Sequence, residues 1–102
     1  MTSRIDLHEE LVRILGSNNV YFQPPESIKL KYPCIVYTKT SMPKVNADDG
    51  MYKINTGYKV VYVHKDPDED DLVKELLKIP HSRYSTCFTS DNLYHDVLEI
   101  YI

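Results

Sequence analysis

Apolar and polar positions alternate with a helical period in the first fifteen residues and with a strand-like period in most of the remaining chain. Between Ser3 and Leu15, Leu7, Leu11, Ile14 and Leu15 recur at i, i+4, i+7 and i+8, while Glu9, Glu10 and Arg13 fall on other sides. This spacing predicts a helix, with Ser3 able to cap its start and Gly16 to close its end. The polar run Gly16-Ser17-Asn18-Asn19 is a turn, and Val20-Tyr21-Phe22 reads as a short strand at an edge or outside the main sheet, stopped by Pro24-Pro25. Cys34 to Lys39 follows Pro33 and is rich in β-branched and aromatic residues, the signature of a strand near the centre of a sheet.

From Ser41 to Gly57 the pattern dissolves. Pro43, Asn46, Asp48-Asp49-Gly50 and Asn55 are turn formers, broken only by Val45, Met51 and Ile54, and the stretch is expected to form an extended hairpin arm. Tyr58 to Lys65 is the strongest strand, with no breaker inside it, and is expected to pair antiparallel with the Cys34 strand. Asp66-Pro67-Asp68 ends it. Asp68 to Ile79 is expected to be a second helix, apolar at Leu72, Leu76, Leu77 and Ile79 and ended by Pro80. Arg83 to Thr89 and Tyr94 to Ile102 read as two strands around a tight turn at Ser90-Asp91-Asn92. In the last strand Leu98, Ile100 and Ile102 form an apolar face, opposite Val97, Glu99 and Tyr101. The order predicts one α+β domain spanning residues 1 to 102: a mostly antiparallel sheet of four to five strands, two helices on one face and a long inter-strand hairpin arm.

Composition narrows the function classes. With 42% apolar and 26% charged residues and only 3 glycines, the chain has the makings of a single folded core. Its 9 tyrosines against 2 phenylalanines and no tryptophan favour contact surfaces over a dry core, since tyrosine joins an apolar body to a polar tip. A net charge of -3 supplies no overall positive field to hold a phosphate backbone. The first fifteen residues lack the apolar core of a secretion signal and no run reaches the length of a membrane span, so a reducing cytoplasm is the expected compartment. Cys34 and Cys87 are expected to be buried free thiols.

Candidate chemistry is sparse. The acidic run from Asp66 to Asp71 opens like a calcium loop, but Asp71 and Leu77 stand where the turn glycine and the final glutamate belong, so helix capping is the expected role. His8, His64, His81 and His95 lie at no metal-ligand spacing. His95 and Asp96 are adjacent in a strand and point to opposite faces, which prevents a catalytic dyad. Cys34 or Cys87 meeting a histidine across the sheet has no local motif behind it. The chain has no phosphate-cradling glycine loop. Lys29-Leu30-Lys31-Tyr32, with Tyr21 and Tyr37, suggests a basic aromatic platform for single strands, against which stands the plainer reading of a solvated surface. No catalytic, cofactor-binding or metal-binding residue is assigned, and an enzyme is not expected. The arm is the feature folding explains least, because structureless loops of more than about 12 to 15 residues are usually functional or disordered. Lys44, Asp48, Asp49, Met51, Tyr52 and Lys53 are its candidate contact residues.

Several stretches resemble a known family. Leu7-His8-Glu9-Glu10-Leu11, Asn19 to Pro25 (NVYFQPP), Lys31 to Tyr37 (KYPCIVY), Asp66-Pro67-Asp68 and Asn92 to Val97 (NLYHDV) are similar to small proteins of tailed-phage and prophage morphogenesis, in particular the tail terminator, or tail completion, group. The resemblance spans nearly the whole chain. It implies a head-tail joining subunit of the virion that assembles in the host cytoplasm into a ring, typically a hexamer, on the tail tube protein and against the head-completion or connector proteins. DNA would pass the lumen without specific binding, and the resemblance implies no chemistry, no cofactor and no membrane. A small ferredoxin-like ligand-binding or regulatory domain is the alternative.

Overall fold

The computed structural model describes residues 3–40, 44–48 and 51–102, with side chains described for 3–40 and 56–102. Helix α1 (Arg4–Leu15) begins where expected: the Ser3 side chain accepts a hydrogen bond from the Asp6 N–H at 3.2 Å. It ends at Gly16, whose φ of 79° lets its N–H reach back to the Val12 carbonyl at 2.9 Å.

Strands β1 (Val20–Phe22), β2 (Cys34–Lys39), β5 (Gly57–His64), β6 (Ser82–Ser90) and β7 (Leu93–Tyr101) form a sheet in the order β1-β2-β5-β7-β6. β1 runs parallel to β2 and every other pairing is antiparallel, so the sheet is mixed but mostly antiparallel. That order is not the βαββαβ arrangement of a ferredoxin-like domain. β3 (Lys44–Asp48) and β4 (Met51–Asn55) pair antiparallel as a separate two-stranded sheet, in a register that sets Val45 opposite Ile54 and Ala47 opposite Tyr52.

Pairing registers decide which residues share a face. Ile35 and Tyr37 on β2, Tyr58, Val60 and Tyr62 on β5, and Leu98 and Ile100 on β7 fall on one side and are buried together. Leu7 and Leu11 of α1 and Leu76 of α2 (Asp71–Leu76), with Ile79 just beyond it, close the same cluster. Both helices therefore cover this face, and burying these side chains is the main force holding the domain together.

Some expectations need correction. The second helix is shorter than its periodicity suggests. An Asp66 carboxylate turn, in which Oδ1 accepts from the Asp68 N–H at 2.9 Å, delays its start. Bonds from the Lys78 N–H to the Glu75 carbonyl and the Ile79 N–H to the Leu76 carbonyl, both 3.1 Å, tighten its end into three-residue turns. Its capping acceptor is Glu69 Oε1, 3.3 Å from the Leu72 N–H, and the Asp70 side chain makes no cap. Tyrosine serves the core as much as the surface, since Tyr37, Tyr58 and Tyr62 are buried. Tyr37 thereby leaves any stacking platform with Lys29 and Lys31. Cys34 is buried as expected, but Cys87 is exposed, because its strand β6 is an edge that no helix covers.

Candidate functional site

One end of the helix-covered face carries polar side chains from neighbouring strands. Tyr62 is opposite Asp96 and His64 opposite Tyr94 across the β5–β7 pair, so His64 and Asp96 are diagonal neighbours on one face. His64 Nε2 lies 2.7 Å from Asp96 Oδ2. A carboxylate only accepts, so Nε2 carries the proton and donates it. The remaining His64 nitrogen, Nδ1, is buried and has no hydrogen-bond partner.

A β-bulge completes the group. Tyr84 and Cys87 are three residues apart on β6 and would face opposite ways in a regular strand. The register shift between Tyr84 and Thr86 brings both to the side of Asp96. The Tyr84 hydroxyl then donates to Asp96 Oδ1 at 2.8 Å, so the two oxygens of Asp96 bind different partners. Desolvation first, and the hydrogen bond to Asp96 second, raise the Tyr84 phenol above its ordinary value and keep it protonated. The His64 ring stacks with Tyr62, at a centroid distance of 4.5 Å, and with Tyr94, at 5.9 Å.

This group borders a cavity of about 370 Å3, closed on its other side by Pro67, Glu69 and Asp70 ahead of α2. A second cavity of about 240 Å3, beside Pro33 and Lys65, shares His64 and Glu69 with the first. Negative charge converges here. Tyr62 is pushed up to about 12, by burial first and then by Glu69, Asp96 and Asp66. The arrangement orients rings and concentrates carboxylates.

His95 and Asp96 do not pair, in keeping with their alternation. His95 stacks on Phe88 on the other face, centroids 4.5 Å apart and planes 9° from parallel. The link the sequence did not reveal is His64 to Asp96, which lie 32 residues apart and meet only once β5 and β7 are known to be neighbours. Of the candidate arm residues, Lys44 and Asp48 lie on β3 and Met51, Tyr52 and Lys53 on β4, where the backbone alone is described. Asp49 lies outside the described residues. No metal-holding group of His, Cys, Asp and Glu occurs among the described residues. No helix among them is long and apolar enough to cross a membrane.

A second surface feature lies beside the cavity. β6 is nine residues long, is paired only through β7 among the described residues, and is exposed from Arg83 to Ser90. Tyr84 is 39% and Phe88 48% exposed, so large apolar side chains stand along an open strand edge. Fold and surface together define an α+β domain with a buried helix-covered face, a polar aromatic cavity and an open edge. No protein-family model, curated protein or solved structure matches the chain.

Proposed function

We propose that this protein is a structural assembly subunit, a tail terminator or related head-tail joining protein of a long-tailed phage or prophage, that closes into a ring with copies of itself. The observation that carries the reading is the open β6 edge. A nine-residue edge strand with unpaired backbone groups and exposed Tyr84 and Phe88 is a liability in a monomer and a template for strand pairing in an assembly. A closed ring needs two different patches that fit each other, one on each side of the subunit. β6 supplies one. The β3–β4 hairpin, with Lys44, Asp48, Met51, Tyr52 and Lys53 on it, supplies the second in this reading, and Asp49 is assigned to the same contact. The resemblance of the Val20–Pro25 and Lys31–Tyr37 stretches to tail completion proteins gives the ring its partners: the tail tube on one side and the head connector on the other.

The test is electron microscopy of the protein mixed with purified tail tubes. Capped tube ends carrying a ring of added density are expected. Bare ends at saturating protein would remove the tail-terminator role.

A further inference from the structure

We infer that in the free protein two copies pair edge to edge through β6, antiparallel about a two-fold axis at Phe88. The bonding phase of the sheet shows which backbone groups of β6 are unspent. The Tyr101 N–H bonds to the His81 carbonyl on the β6 side at 3.2 Å, and the Ile102 N–H bonds to the Thr56 carbonyl on the β5 side at 3.0 Å. Odd-numbered residues of β7 therefore bond towards β6. Opposite Val97, His95 and Leu93, the residues Thr86, Phe88 and Ser90 spend their backbone groups inward. Cys87 and Thr89, between them, direct N–H and C=O outward to the open edge.

The bulge limits where a second strand can pair. Alternation along β6 changes phase between Tyr84 and Thr86, so a regular partner fits the segment from Thr86 to Ser90. Within that segment, an axis at Phe88 sets Cys87 against Thr89 of the second copy and Thr89 against its Cys87. Both pairs join residues whose backbone groups point outward, so both close with hydrogen bonds. An axis at Cys87 or at Thr89 gives a single such pair, because the bulge or the turn interrupts the ladder. Side chains agree with the axis at Phe88. That ring, 48% exposed and stacked on His95, meets its counterpart at a closely spaced pair, so two exposed rings cover each other on the helix-free side. Thr86 meets Ser90, and no charge faces another: Arg83, the charged residue of β6, lies beyond the bulge and is held by Glu99. The segment carries no Lys, Pro or charge of the kind that keeps strand edges apart. The fit is of the segment with itself, so the partner is a second copy of this chain. The proposed ring uses the same edge, and the dimer must open before a ring closes.

The test is disulfide trapping between copies. In a Cys87→Ser background, Thr86→Cys and Ser90→Cys are made in separate proteins, both at exposed positions away from the core. The inferred register sets position 86 of one copy opposite position 90 of the other, with Cα atoms about 4.5 Å apart and within disulfide reach. Like positions stand more than about 13 Å apart and cannot bridge. An oxidised mixture of the two proteins is expected to give a covalent dimer about tenfold faster than either protein alone. Adding Phe88→Lys to both should slow the mixture to the rate of the single proteins. A mixture no faster than the single proteins, or a bridge that survives Phe88→Lys, would overturn the inference. The ring is judged apart, by the images of tail tubes. Capped tubes without the trapped bridge keep the ring and overturn the two-fold pairing, and a trapped dimer with bare tube ends does the reverse.

Discussion

Cys34 and Tyr62 show how burial sets the chemistry of a side chain. Both are in the sheet interior, where an anion loses its hydration, so burial pushes the Cys34 thiol up to about 11, and burial first and the nearby carboxylates second push Tyr62 up to about 12. Each group holds its proton more tightly in the folded state than in the unfolded chain, where the ordinary values are 9.0 and 10.0. Their contribution to stability is complete below pH 9 and is lost as pH rises, first through the Cys34 window and then through that of Tyr62. Each group costs about 1.4 kcal/mol per pH unit within its window. Denaturant unfolding measured across this range should show stability falling from about pH 9 upward, and Cys34→Ala should flatten the first part of the decline. A stability that stays level to about pH 11 would contradict the burial described for both residues. Residue types alone did not disclose the His64–Asp96–Tyr84 group, because its members come from three strands and one of them is aimed by a bulge. Alternation did correctly separate His95 from Asp96, a property local to one strand.

At the scale of elements, the parts that were legible in the sequence are those whose cause is local. The α1 boundaries follow from Ser3 and Gly16, and the β6–β7 turn follows from Asp91 and Asn92, which take φ values of 53° and 63° as residues of their type tolerate. The strands β2 and β5 announce themselves by β-branched density. The end of the second helix was not legible, since apolar spacing continues to Ile79 while the backbone has already tightened after Leu76. The exposure of β6 was equally hidden: a strand's pattern does not say whether a helix will cover it. Gly16 gives a test at this scale. A methyl group there would meet nothing within 4 Å, so Gly16→Ala costs only the left-handed backbone. A loss of about 1 kcal/mol in denaturant unfolding is expected, and an unchanged or raised stability would mean that α1 does not end in this geometry.

For the whole molecule, the helices take one face of the sheet, and the sheet leaves a nine-residue edge to solvent. Burial of Leu7, Leu11, Leu76, Leu98 and Ile100 accounts for a stable domain without β6 contributing a buried side chain, as its exposure from Arg83 to Ser90 indicates. A strand of that length that adds little to its own core is open to pairing along its free edge. Tyrosine divides along the same line, with Tyr37, Tyr58 and Tyr62 inside and Tyr84 at the edge. Three tyrosines thus serve the dry core that composition alone did not assign to them. The acidic cavity and the open edge adjoin through Tyr84, so a neighbour docked on β6 would come within reach of the carboxylates at Asp96 and Glu69. In the proposed role, β6 is the surface through which copies join. Sedimentation velocity across a wide concentration range, on the unaltered protein and on Phe88→Lys, tests this most directly. The expected result is a concentration-dependent shift to a closed oligomer that the lysine on the edge abolishes while the monomer stays folded. An oligomer that forms equally well with Phe88→Lys would contradict it.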